Sequence, residues 1–244
     1  MNTAETIRQA VADVERLRAE SRDLPDIGAS VTVLKRFQAR RFAATYPDLL
    51  ASRTSGAAAR FFLEELYGDR DFRERDAQFA RIAGAVEKLF PRDVAHMAAE
   101  LAQLHALTES LDHAMGRALP LQGSDDVAGY VRAWKLVERR EDRQRQLGAV
   151  VAIGREMTRL TRLPGLRMML RMMRGPATAA GLASLQRFLE SGFDTFSSMT
   201  KVRGAAEDFL ATIHEREQQL MDLLFDAEAV ACETALRNTL GQAR

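Results

Sequence analysis

A chain of 244 residues with 46% hydrophobic and 28% charged residues has the composition of a globular protein that can bury a substantial core. The formal net charge is +1, which argues against a general polyanion-binding protein. No apolar run reaches the roughly 18 residues of a membrane-spanning helix, and the N-terminal segment is acidic and amphipathic rather than a secretion signal. We therefore expect a soluble, cytoplasmic protein, in which the single cysteine, Cys232, is a packing residue rather than a site.

The apolar positions of the chain recur at helical spacing, without the sustained two-residue alternation of a half-buried strand. This pattern predicts an all-α fold, a compact multi-helix bundle of about eight to ten helices with no sheet. We expect a single helical domain over residues 1–244, and a division into halves, if there is one, falls near residues 120–126. The predicted helices cover about residues 4–20 and 30–46, the segments around Phe61 and Phe79, residues 92–119, the segment around Trp134, and residues 141–163, 166–174, 176–199 and 204–240.

Local signals mark the ends of several of these helices. Asn2 and Glu5 have the spacing of a capping box at the start of the first helix. Gly68 fits a helix C-terminus, because glycine adopts the left-handed conformation without steric cost, and Asp71 with Glu74 has the spacing of another capping box. Residues 120–126 place LQGSDD after a proline, which predicts an exposed connection.

The most regular pattern lies in residues 92–119, where large apolar residues alternate steps of three and four over more than three heptads. It predicts a long helix with a narrow packing seam. On this pattern Glu109 and His113 lie on the outer face, whereas His105 and Asp112 flank the seam about 10 Å apart. We therefore do not expect these residues to form a metal site, and no metal or other cofactor is predicted.

The segment from Phe61 to Ile82, FFLEELYGDRDFRERDAQFARI, carries acidic residues into the apolar side of a helix. With successive residues 100° apart, Glu65 lies between apolar positions and is expected to be partly buried. In the next helix Arg75 projects into the apolar stripe, with Asp76 at its edge. Because an unpaired buried charge costs several kcal/mol, we expect Arg75 to pair with Glu65 or Asp76.

The same three residues support an alternative, catalytic interpretation. If Glu65, Arg75 and Asp76 line an open polar cavity, two carboxylates are available as a general acid and base. A neighbouring arginine favours the charged form of a carboxylate, however, which suits an ion pair better than a general acid. The sequence also has no nucleophile elbow and no glycine-rich phosphate loop, so a binding protein is expected rather than an enzyme.

The chain contains FFLEELYG, followed further along by LTESLD, RQRQL, MRGPA with AGL, and FLESGF with FSSM. These segments resemble an uncharacterised bacterial protein family named for its FFLEELY motif. The likeness covers most of the chain from about residue 58 onward. The resemblance implies an all-helical protein of no known activity, and it assigns no functional residue.

Charge is distributed unevenly along the chain. Residues 132–174 contain twelve basic and four acidic side chains, whereas residues 203–244 contain four basic and eight acidic ones. Six arginines of the basic region form stripes on two successive predicted helices, one with Arg155, Arg159 and Arg162 and the other with Arg167, Arg171 and Arg174. The second stripe lies beside an apolar stripe rich in methionine.

Three interpretations of this basic region compete. In the first, the arginines pair with the acidic side chains of the last predicted helix. In the second, they contact an anionic membrane surface or an amphiphilic acyl ligand, for which flexible methionine provides an adaptable apolar surface. The third, nucleic-acid binding, is not favoured because the region lacks interleaved aromatic residues and a helix-turn-helix signature.

Together these observations predict a helical binding or interaction protein. Its expected partner is another protein, or a hydrophobic or anionic amphiphilic ligand, and not nucleic acid. An enzyme with a buried polar pocket is one alternative, and peripheral binding to anionic membranes through residues 155–174 is another.

Overall fold

The computed structural model describes residues 2–65, 72–119 and 126–241. Within these ranges the regular structure is entirely helical, which confirms the predicted all-α fold, although there are more helices than the eight to ten expected. The helices are α1 Thr3–Asp23, α2 Pro25–Thr45, α3 Pro47–Ala51, α4 Gly56–Glu65, α5 Arg73–Leu89, α6 Arg92–Ala118, α7 Asp126–Val137, α8 Arg140–Leu160, α9 Leu166–Met172, α10 Arg174–Ala179, α11 Ala183–Met199, α12 Ala205–Asp226 and α13 Ala229–Gly241.

Two of the extra helices arise because predicted segments are interrupted, whereas the short α3 lies where the sequence predicted no helix. The segment 176–199 breaks after α10, where Gly181 takes a φ of 69° that favours glycine. The segment 204–240 breaks between α12 and α13, where Ala227 has an extended backbone. Both breaks are changes of local backbone conformation, which the spacing of apolar residues does not report.

The cap signals have different outcomes. At the start of α1 the Asn2 side chain accepts a hydrogen bond from the Glu5 backbone, and the Glu5 side chain accepts one from the Asn2 backbone. The predicted capping box is therefore confirmed. Gly68 and Asp71, and all of the 120–126 connection except its last residue, lie outside the described residues.

Helix α6 lies at the centre of the fold, where it packs against α1, α2, α5, α7 and α8. The prediction of an outer face on this helix was wrong. His113 is only 7% exposed, and the Glu109 side chain is only 11% exposed. The heptad pattern registers large apolar residues, but small buried residues such as Ala99 and Ala102 allow neighbouring helices to cover a second face.

In the part of the chain that the structure describes, three buried clusters form the core. The largest surrounds Trp134 and combines Leu34 and Met115 with Leu147 and Leu224, so the parts of the chain before and after residues 120–125 share it. A second, aromatic cluster contains Phe42, Tyr46, Phe62, Phe196 and Phe209. The third is rich in alanine and joins α1, α5 and α6.

Helices α6 and α8 run antiparallel, and their side chains define the direction. Near the C-terminal half of α6, Gln146 Nε2 donates a hydrogen bond to Thr108 Oγ1 at 2.8 Å. At the other end of the pair, Arg159 Nη2 donates to Asp93 Oδ2 at 2.6 Å. This arrangement places residues 105–112 of α6 beside the first turns of α8, and residues 94–104 beside its middle and end.

Candidate functional site

A cavity of about 180 Å³ lies inside the bundle, with walls from α1, α2, α5, α6, α7, α8, α11 and α12. A single water molecule requires roughly 10–15 Å³ measured in the same way, so the cavity has room for a ligand. Its wall changes character along α6. Residues 105–112 contribute His105, Thr108, Glu109 and Asp112, whereas the wall from residues 94–104 is apolar.

The wall from α8 also has a polar part and an apolar part, but on α8 the polar part comes first in the chain, whereas on α6 it comes last. Its first turns contribute Arg143 and Gln146, and the following turn contributes Leu147 and Val150. Because the two helices are antiparallel, their polar residues meet at one end of the cavity and their apolar residues meet at the other. We call these the polar end and the apolar end.

Asp76 is the centre of a buried network at the polar end. Its side chain is 4% exposed, and its Oδ2 accepts a hydrogen bond from Arg18 Nη2 at 2.7 Å and lies 2.9 Å from His105 Nε2. Arg75 Nε lies 3.6 Å from Asp76 Oδ1. Burial by itself raises the pKa of Asp76, but the contacts with His105, Arg18 and Arg75 outweigh it and hold the pKa below its ordinary value.

This ionised Asp76 also determines the hydrogen-bonding role of His105. An ionised carboxylate can only accept hydrogen bonds, so the Nε2 atom of His105 carries the hydrogen. Phe72 packs edge-on against the same imidazole ring. Asp76 and Phe72 together therefore fix the orientation of the His105 ring.

Two further carboxyl groups lie on α6, and their environments differ. Glu109 Oε1 is 2.5 Å from Lys35 Nζ; burial raises the pKa of Glu109, but Lys35 and His105 together bring it below its ordinary value. Asp112 accepts a hydrogen bond from Gln38 Nε2 at 3.1 Å. Burial raises the pKa of Asp112, and the charge of Glu109 adds to this effect.

Trp134 and two arginines complete the polar end. The Arg143 guanidinium lies over the Trp134 ring, 4.3 Å from its centroid. Arg41 pairs with Glu217, which also accepts a hydrogen bond from Tyr46 Oη at 2.8 Å. Stacking and pairing of this kind hold guanidinium groups in fixed positions inside the protein.

Among the described side chains that line the cavity, four cations, Lys35, Arg41, Arg75 and Arg143, stand with four carboxyl groups, Asp76, Glu109, Asp112 and Glu217. Arg18, which contacts Asp76 from α1, is also paired with Glu15 at 2.7 Å. The raised pKa of Asp112 favours its uncharged form, and with Asp112 uncharged the lining has one positive charge in excess. The polar end is therefore electrostatically suited to a group with negative charge.

Of the three residues that the sequence predicted for a polar pocket, the structure describes the side chains of two. Arg75 and Asp76 lie together in the cavity wall. The Glu65 side chain lies outside the described part of the chain. Sequence reasoning missed Arg18, Lys35 and Arg143 as members of the network. For Lys35 and Arg143 the sequence did offer a signal, because each is a charged residue within the apolar face of its helix, α2 or α8.

The arginines of the basic region are placed mainly on the surface. Four of the six have acidic partners within the described residues: Arg159 with Asp93 and Glu156, Arg162 with Glu207, Arg167 with Asp194, and Arg174 with Glu190. Among these acids, only Glu207 belongs to the acidic C-terminal region. Arg155 and Arg171 are exposed.

None of the helices in the described ranges is long and apolar enough to cross a membrane. No group of three or more His, Cys, Asp or Glu side chains in those ranges is arranged to hold a metal ion. Cys232 is buried, and its Sγ lies 3.2 Å from the carbonyl oxygen of Leu223.

Fold and site together define an all-helical protein with an internal cavity that is charged at one end and apolar at the other. The chain belongs to the family of a domain of unknown function, DUF8198, which matches residues 17–231. No curated protein and no solved structure matches the chain.

Proposed function

We propose that this protein binds an amphiphilic small molecule in its internal cavity. The negatively charged head of the ligand lies at the polar end, and its apolar body lies along residues 94–104 of α6. The observation that carries the proposal is the change from a charged wall to an apolar wall along the antiparallel pair α6 and α8. Binding sites for small molecules typically combine a largely apolar wall with a few placed polar groups.

Catalysis at Asp76 is the main alternative, since Asp76 and His105 lie in contact in the wall of a cavity. The surroundings of Asp76 favour binding over acid–base chemistry. Its pKa is lowered, and Arg18, Arg75 and His105 all contact the carboxylate, so it is a poor proton donor. The same contacts hold the charged side chains of the polar end in fixed positions, and a preformed binding site requires such fixed groups.

Laurate, a single-chain carboxylate, is a suitable first probe for the proposed function. We expect the full-length protein to bind laurate more tightly than the uncharged alcohol of the same chain length, as measured by isothermal titration calorimetry. Arg143→Gln should weaken laurate binding by at least about tenfold, since a charge-assisted hydrogen bond contributes about 1.5–3 kcal/mol. Its effect on binding of the alcohol should be small.

Arg145→Gln is the matched control, because Arg145 lies on the same helix with a side chain that is 70% exposed. It should leave the affinity for laurate unchanged. Equal losses in both variants, or no binding of laurate by the unaltered protein, would contradict the proposal. Native mass spectrometry of protein purified gently from its own host would show directly whether a ligand is retained.

A second candidate function is peripheral binding to anionic membranes, and the exposed side chains of Met168 and Met172 on α9 favour it. This role predicts that vesicles containing anionic lipid sediment the protein at low salt. Simultaneous replacement of Arg167, Arg171 and Arg174 by glutamine should release it, as should added salt. Failure to sediment with these vesicles at low salt would exclude this role.

A further inference from the structure

A second cavity of about 70 Å³ lies beside the first, between α4, α6, α8 and α11. Its lining is made entirely of apolar side chains and glycines, among them Phe61, Phe62, Ile153, Met157 and Phe196. A cavity lined in this way offers water no hydrogen-bonding partners, so it favours hydrocarbon over water.

The two cavities are adjacent, because six residues line both of them. These shared residues are Met97, Leu101, Leu104, Val150, Phe188 and Leu189. Methionine is unbranched and flexible, and both methionine and leucine side chains change rotamer at low cost compared with backbone movement. The apolar end of the first cavity therefore adjoins the second, and a rotamer change of these side chains would join the two.

The second cavity lies beside the apolar end of the first, since Met97, Leu101 and Leu104 of α6 line both. From Asp112 to Met97 the helix rises by about 22 Å. A ligand with its head beside Asp112 and its body along the apolar end thus has its far end next to the second cavity. The small volume of the second cavity suits one unbranched chain better than a fused ring system.

We infer that the second cavity receives the distal end of the hydrocarbon tail of a single-chain anionic amphiphile of the fatty-acid class, and that it determines which chain lengths bind tightly. The inference rests on the proposed function, since it requires the head of the same ligand at the polar end. Each additional methylene that enters the apolar cavity increases the affinity until the space is filled.

Gly192 on α11 provides a way to fill the second cavity. A Cβ atom at this position would lie 3.2 Å from Phe61 Cζ and 3.8 Å from Met157 Cε, both of which belong to residues lining the cavity. A larger apolar side chain at residue 192 would therefore occupy the space proposed for the tail. Ile153→Phe adds volume to the same cavity from α8.

The experiment measures the dissociation constants of octanoate, laurate and palmitate, each below its micelle concentration, for the unaltered protein and its variants. The unaltered protein should bind more tightly as the chain lengthens. Gly192→Leu should weaken palmitate binding by at least about tenfold and leave octanoate binding within about twofold. Ile153→Phe should act in the same way if Gly192→Leu fails to fold.

Ser191→Leu is the control, because it adds the same side chain at the exposed neighbouring position of α11. It should not change the preference for chain length. Equal weakening of all three ligands by both cavity variants, or no weakening of palmitate, would overturn the role of the second cavity while leaving the proposed function standing. If the unaltered protein binds none of the three carboxylates, the proposed function fails, and this inference fails with it.

Discussion

Replacing Asp76 with asparagine is expected to lower the free energy of unfolding by about 3 kcal/mol at pH 7, the size of loss typical when one partner of a buried ion pair is removed. The carboxylate of Asp76 is 4% exposed and interacts with Arg18, Arg75 and His105. An uncharged amide cannot balance the two arginines. Chemical denaturation of the two proteins, compared at the same temperature, measures the difference.

The pH dependence of the free energy of unfolding provides a second test of this network. Because the pKa of Asp76 is lowered in the folded protein, its contribution is fully present above the ordinary pKa of an aspartate. The contribution is lost only as the pH falls through the lower value of the folded state. The stability difference between the unaltered protein and Asp76→Asn should thus be at least as large at pH 5.5 as at pH 7, since protonation of an imidazole in contact with the carboxylate can only add to the attraction.

Asp13→Asn is the control for this experiment. Asp13 lies on α1 and pairs with Arg16, but both side chains are well exposed. Exposed pairs of this kind typically contribute less than about 1 kcal/mol, so the free energy of unfolding should change little. A loss in Asp76→Asn no greater than in Asp13→Asn would show that the network does not stabilise the fold.

For Asp112 we expect a substitution to change the free energy of unfolding in the opposite direction. Replacing Asp112 with asparagine should increase the free energy of unfolding by about 2 kcal/mol at pH 8, because the change removes a carboxyl group whose charged form is disfavoured by burial. Gln38 still has a side-chain oxygen at residue 112 to which it can donate. Denaturation at pH 8 measures this gain.

The sign of the pH effect follows from the raised pKa of Asp112. Between the ordinary pKa of aspartate and the higher value of the folded state, the folded protein holds a proton that the unfolded chain releases. Stability therefore falls as pH rises through this window, and the advantage of Asp112→Asn is largest above it. A variant that is less stable than the unaltered protein at pH 8 would show that the ionised carboxylate is stabilising.

These two aspartates illustrate how far the sequence predicts the site. The helical pattern placed Arg75 in an apolar stripe with Asp76 at its edge, and the structure brings the two within 3.6 Å. The same kind of pattern gave no indication of Arg18 as a partner, because Arg18 is 58 residues away from Asp76 in the chain. A helical pattern relates residues one or two turns apart and carries no information on which helices meet.

Asp112 and His113 show a second limit. The heptad pattern of α6 predicted one buried seam, and yet both residues are buried. A seam of large residues indicates where a helix packs most tightly, but it does not show how many helices surround it. The central position of α6 depends on alanines, whose small side chains are compatible with both exposed and buried faces.

The all-α class, the position of most helices and the first capping box follow from the sequence alone. These features depend on interactions between residues close together in the chain, namely backbone hydrogen bonds, caps and apolar spacing. The central position of α6, the convergence of charged residues from α1, α2, α5, α6, α8 and α12, and the cavity between them follow from the packing of the helices. Convergence requires long-range packing of helices, in which burial changes the pKa of each carboxyl group according to neighbours that the local sequence does not reveal.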